Sequence, residues 1–118
     1  MTDYVAQMQA AWLTFVTHGR RAHPELVVIF AMLAGGAPLL TERLRARGGP
    51  RIDLDDPGLL YETSSYGPVA IQAMARQVGE ARLLYGSDRP VIEPILTPRD
   101  AGLQRNAGAI LARIGTTV

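Results

Sequence analysis

One carboxylate at the end of an apolar strand is the clearest chemical signal in this chain. Residues 82–90 read Arg-Leu-Leu-Tyr-Gly-Ser-Asp-Arg-Pro. Leu83-Leu84-Tyr85 is a short apolar strand that runs into Gly86-Ser87-Asp88 and stops at Pro90, which cannot donate to a sheet ladder. Gly86 lets the backbone leave the strand at an angle that a β-carbon would hinder. In parallel α/β proteins, ligand sites gather on the rim at the carboxyl ends of the strands. Asp88 is therefore the candidate catalytic group. A single carboxylate is not an active site, and no residue makes a convincing base for a serine nucleophile.

Other candidates have a plainer reading. Gly35-Gly36 before a helix could present amides to an anion. The full phosphate-loop pattern is absent, so a simple turn is expected. Ser64 and Ser65 could bond a substrate, but capping of the next helix is the expectation. Residues 50–58 include Asp53, Asp55 and Asp56 without the ligand spacing of a calcium loop, so they read as a surface loop. Arg43, Arg45, Arg47 and Arg51 read as a solvated helix end.

The elements that must position these groups follow from periodicity. Val5, Met8, Trp12, Phe15 and Val16 form one stripe of a helix over 3–22. Leu26–Leu33 reads as a strand buried on both faces. It turns at Ala34–Pro38 into a helix reaching about Arg47, with Leu39, Leu40 and Leu44 inward. Leu59–Thr63 is a second strand, and a helix over 68–78 offers Val69, Ile71, Met74 and Val78 for packing. After the Asp88 strand, a last helix at about 99–114 carries Leu103, Ala107, Ile110, Leu111 and Ile114. A helix and then three strand–helix units imply an α/β fold with parallel strands and right-handed crossovers.

Bulk properties exclude several classes. With 118 residues, 47% hydrophobic and 19% charged, residues 1–118 read as one globular domain. A net charge of +1 leaves no electrostatic footprint for nucleic acid. There is no cysteine, so disulfides and thiolate metal sites are out, and a reducing cytoplasm is compatible. The run Leu26–Ala34 is far short of the roughly 20 residues a membrane span needs. The amino terminus, with Asp3, lacks a signal-peptide layout. A soluble, cytoplasmic protein is expected.

Placed in order, these pieces resemble the carboxyl-terminal part of the amidohydrolase superfamily, in the branch of decarboxylases and hydrolases related to aminocarboxymuconate semialdehyde decarboxylase. The matching residues are Gly35, Gly36 and Pro38, Glu42-Arg43-Leu44, the Tyr61 strand with Thr63-Ser64-Ser65, Val78-Gly79, Gly86-Ser87-Asp88-Arg89-Pro90, and Asn106 with Leu111. The resemblance implies a partial (β/α) barrel: the last three β/α units of a TIM barrel and the helix before them. It implies that Asp88 binds a divalent metal, zinc being the usual one, or handles the proton of metal-bound water. Gly35, Gly36, Ser64, Ser65 and Arg89 become candidate substrate contacts. The implied substrate is a small organic acid, ester or amide.

The departures carry equal weight. The family's His-x-His and its histidine after the fifth strand are missing; only His18 and His23 are present. The catalytic histidine expected before the Gly-Gly-x-Pro turn falls on Met32, whose thioether cannot be a general base and is a poor ligand for a borderline metal. A barrel of this type needs about 250 residues. The chain is thus expected to be the last part of a barrel, inactive alone and binding no metal by itself, associating with an N-terminal half. The alternative is a stand-alone half-barrel that self-associates as a scaffold. A flavodoxin-like nucleotide binder using Gly35-Gly36 stands behind both.

Overall fold

The computed structural model describes residues 2–86 and 98–113, apart from the side chains of several residues in the terminal helices. The amino-terminal helix α1 (Thr2–Thr14) continues through a π-helical turn (Phe15–Gly19) into α2 (Arg20–Ala22) with helical dihedrals throughout the junctions. Strands β1 (Val28–Phe30), β2 (Leu59–Glu62) and β3 (Leu83–Leu84) form a parallel sheet in the order β1-β2-β3. Helices α3 (Thr41–Ala46) and α4 (Pro68–Val78) are the crossovers, and α5 (Pro98–Arg113) follows β3.

Register decides which side chains share a face. Phe30, Tyr61 and Leu83 lie on one rung and face the helices. There they pack with Trp12, Leu33, Ile71, Met74, Val78 and Leu103. Ile29 with Leu60, and Glu62 with Leu84, point to the opposite face because side chains alternate along a strand. The sheet is unclosed, and Ile29 is 52% exposed. The expectation of a first strand buried on both faces therefore fails at β1: nothing among the described residues covers Ile29.

Trp12 is the anchor of the core. It is fully buried, and its indole N–H donates to the Tyr61 hydroxyl at 3.0 Å, which removes the cost of an unpaired buried donor. Phe30 stacks on Tyr61 at 5.7 Å and meets Phe15 edge-on at 6.0 Å. The Arg20 guanidinium lies 5.2 Å over Phe15, pairs with Asp56 at 2.8 Å and donates to the carbonyls of His23, Pro24 and Leu26. One cation thus closes the end of α2 and ties it to the loop before β2. In that loop Asp53 accepts the Asp55 N–H and Asp56 the Gly58 N–H, each at 2.9 Å. These are turn-closing bonds, as a surface loop requires.

Two packing expectations are corrected. Val69 is 84% exposed, because it precedes Ile71 by two residues, about 200° around the helix from the Ile71–Met74–Val78 stripe. Leu39 and Leu40 are exposed, while Leu33, Ala34, Ala37 and Pro38 are buried in their place. The cause is a left-handed turn. Met32, Leu33, Ala34, Gly35 and Gly36 have φ of 48, 52, 53, 64 and 80°, which redirects the chain before α3. For the three non-glycine residues this conformation costs about 1–2 kcal/mol each. Packing holds it: Gln9 donates to the Gly35 carbonyl at 2.9 Å, and Gln77 of α4 donates to the Pro38 carbonyl at 3.2 Å.

At the other end, Asn106 of α5 donates to the carbonyls of Glu80 and Leu83, at 2.8 and 3.1 Å, and Leu103 is fully buried. The last helix is thereby fastened to the start of β3. Ile114 and the side chains of Ala107, Ile110 and Leu111 lie outside the described residues.

Candidate functional site

The carboxyl ends of the three strands meet on Glu62, the last residue of β2. One carboxylate oxygen accepts the backbone N–H of Met32, just after β1, at 2.5 Å. The other accepts the N–H of Ser64 at 3.1 Å and the Ser64 hydroxyl. Gly86, just after β3, passes so close that a β-carbon there would overlap both the Glu62 carboxylate and the Ser64 hydroxyl. The Gly86 N–H donates to Thr63 Oγ1 at 3.2 Å, and the Thr63 N–H donates to the Leu84 carbonyl at 2.9 Å. The backbone leaving β3 is thus held directly before Ser87-Asp88. The sequence-stated reason for a glycine at 86 gains a specific cause: the carboxylate it must clear.

Asp88 and Arg89 themselves lie outside the described residues. Ser64 bonds Glu62 and does not cap α4, whose N-cap is Gly67 followed by Pro68 at the first turn. The expected capping role is thereby corrected: proline begins the helix without a side-chain cap. Ser65 takes a positive φ of 67°. Gly35 is buried against α1, where a β-carbon would meet the Val5 carbonyl oxygen at 2.9 Å, and its carbonyl serves Gln9. Gly36 has open space around it. The rim therefore unites Met32, Glu62, Ser64 and Gly86, while Gly35 turns toward the first helix.

Glu62 was missed by sequence reasoning. Its signal was a carboxylate ending the apolar run Leu59-Leu60-Tyr61, where alternation puts it opposite the buried Tyr61. Tyr61 itself is a core group whose phenol burial pushes above its ordinary range, with the Trp12 N–H pulling the other way.

As a metal centre the described residues do not fit. Among them no three His, Cys, Asp or Glu side chains come together. Both Glu62 oxygens are engaged by protein donors, and His18 and His23 are exposed on and after the amino-terminal helix. Beside the rim lies a cavity of about 210 Å³ lined by Tyr4, Val5, Met8, Met32, Gly35, Ser65 and Tyr66. No helix among the described residues is long and apolar enough to cross a membrane.

No protein-family model matches the chain, and no curated protein sequence matches it. Solved structures do. The 5-carboxyvanillate decarboxylase LigW from Sphingomonas paucimobilis superposes with a TM-score of 0.62 at 15% identity, over 84% of this chain and 37% of that one. The apo form of Metarhizium anisopliae IDCase gives 0.60 at 20% identity, over 93% of this chain and 34% of that one. The chain spans about a third of the length of the structures it matches. At these identities the likeness is one of fold. The fold here is a partial (β/α) barrel.

Proposed function

We propose that this chain forms the closing three β/α units of a metal-dependent amidohydrolase-type barrel of the decarboxylase and hydrolase branch. By itself it neither holds the metal nor turns over substrate. The observation that supports this most is the shared fold with a decarboxylase over 84% of the chain, with all three strand ends gathered at one rim. In this reading Asp88 is the metal ligand or proton acceptor, and Ser64, Ser65, Arg89, Gly35 and Gly36 lie along the substrate path. A divalent ion, zinc for choice, would supply Lewis-acid chemistry once other units completed its ligand set. Met32 stands where the resemblance puts a histidine, and its thioether takes up no proton. Glu62 holds the rim in shape. The substrate class is a small organic acid, and the compartment is the cytoplasm.

The test combines metal binding with turnover. The purified chain is titrated with zinc and assayed for CO2 release from 5-carboxyvanillate. No micromolar zinc site and no release above zinc alone is the expected result; turnover overturns the inactivity. Transcript sequencing over about 500 nucleotides upstream, the span of the remaining barrel units, is the second arm. A strand ending in His-x-His there supports the barrel reading, and its absence sinks it.

The second reading is a self-associating half-barrel without catalysis. It is favoured by the half-exposed Ile29 and by the unpaired outer edges of β1 and β3 among the described strands. Analytical ultracentrifugation decides it. A dimer that survives Asp88→Ala supports the scaffold, and a monomer at all concentrations removes it.

A further inference from the structure

Leu39 and Leu40 are expected inward from the sequence, yet the left-handed turn before them leaves them 43% and 40% exposed. The short 3₁₀ turn that carries them runs straight into α3, with the Thr41 N–H on the Pro38 carbonyl. Helical spacing then fixes their neighbours. Arg43 lies four residues from Leu39 and three from Leu40, and Arg47 lies four beyond Arg43, so the four side chains share one side of the helix. Arg43 and Arg47 are exposed, and no residue of α3 is buried.

Positive charge is concentrated on the same stretch. Residues 39–51 hold four exposed arginines, Arg43, Arg45, Arg47 and Arg51, against the single acid Glu42. In the next loop Asp53 closes a turn on the Asp55 N–H, and Asp56 pairs with Arg20. The stripe is also pre-formed. The Thr41 hydroxyl and the Gln77 amide hold the Pro38 carbonyl at 2.7 and 3.2 Å. Gly48, at φ 79°, lets the Gly49 N–H close the last turn on the Leu44 carbonyl at 2.7 Å.

Leucines set among guanidinium groups suit a membrane interface. Apolar groups enter the headgroup boundary, while each guanidinium meets lipid phosphate with two parallel hydrogen bonds. A protein partner fits less well, since a specific interface takes about 20–30 residues a side and this convex stripe offers a handful. A nucleic acid also fits less well, because residues 39–51 hold no aromatic ring on which a base could stack. We infer that the α3 stripe docks the protein reversibly on an anionic phospholipid surface. The inference depends on neither Asp88, a metal nor completion of the barrel, so it stands or falls apart from the proposed function.

The 118-residue chain is sedimented with vesicles of phosphatidylcholine alone and of equal parts phosphatidylcholine and phosphatidylglycerol. It is expected to follow the anionic vesicles only. Raising salt from about 0.1 to about 1 M shortens the screening length from about 10 to about 3 Å and should release it. An arginine near an anionic surface is worth about fivefold, so Arg43→Ala with Arg47→Ala should weaken binding about twentyfold. Arg21→Ala with Arg76→Ala, exposed on α2 and α4, makes the same change in net charge and should leave binding nearly unchanged. Leu39→Ser with Leu40→Ser should weaken it about tenfold and keep the salt dependence. An unchanged urea midpoint shows that each variant is folded. If the Arg43 and Arg47 alanine pair lowers it, Arg43→Gln with Arg47→Gln, which keeps most of the stem, takes its place. Binding to both vesicles alike, binding to neither, or an equal loss in the Arg21 and Arg76 variant overturns the inference. So does leucine-independent binding with polyglutamate or an oligonucleotide held as tightly as lipid, which would make the partner another polyanion.

Discussion

The carboxylate of Glu62 accepts the backbone N–H of Met32 at 2.5 Å, joining the ends of two neighbouring parallel strands through a side chain. Ladder bonds between β1 and β2 cease at Phe30 and Tyr61, so this contact extends the pairing by one side-chain bridge. The same carboxylate gathers both donors of Ser64.

Removing it leaves those donors without their protein acceptor. Because Glu62 is only half-buried, water recovers part of the loss, and Glu62→Ala is expected to cost about 1–2 kcal/mol. Glu62→Gln keeps one acceptor oxygen and should cost less. Urea denaturation of the two variants measures the difference, and equal midpoints for wild type and Glu62→Ala would show the bridge to be idle.

Gly86→Ala puts a methyl group into the space of the Glu62 carboxylate. A free glutamate would swing away, but this one is held by Met32 and Ser64, so overpacking of about 1–3 kcal/mol is expected. In the Glu62→Ala background the carboxylate is gone and the Ser64 hydroxyl is released to rotate aside, so Gly86→Ala should cost less than it does in the wild type. The double-mutant cycle reads this coupling directly. Additive losses would show that Gly86 matters for some other reason.

Ala34 is fully buried with φ 53° and ψ 35°. Glycine there relieves about 1–2 kcal/mol of left-handed strain and gives up about 0.8 kcal/mol of methyl burial. Ala34→Gly is therefore expected to stabilise the protein slightly, by up to about 1 kcal/mol, seen as a raised urea midpoint. A lowered midpoint would mean that the methyl packing outweighs the backbone.

Burial raises the pKa of Tyr61 above 10.0, while the Trp12 N–H lowers it. In the unfolded chain the phenol ionises near 10, whereas the folded protein keeps its proton to higher pH. This contribution is present below about pH 10 and is lost as pH rises toward the folded value. Trp12→Phe removes the donor that favours the phenolate, so the fall in stability should steepen. Urea midpoints between about pH 9 and 11, with phenolate absorbance, follow it. Native-state ionisation of Tyr61 below its unfolded value would contradict the assignment.

Local signals determined the elements. Gly67-Pro68 and Gly79 bracket α4 at Pro68–Val78, and the strand–helix alternation carries the parallel order β1-β2-β3. Asn106 and Leu103 sit where a closing helix must meet β3, and the resemblance built on such pieces leads to the right fold. These features were legible because caps, turns and apolar periods act within a few residues. What only the tertiary structure decided lies across the sheet. Glu62 meets Met32 from 30 residues away. Met32, Leu33 and Ala34 take left-handed dihedrals that no local preference for those residues favours, because contacts with α1 and Glu62 hold them there. Val69 and Ile29 are apolar by type, yet exposed by the faces on which helix phase and strand register leave them. Strand pairing and close approach join residues far apart in the chain, and a pattern of neighbours does not record them.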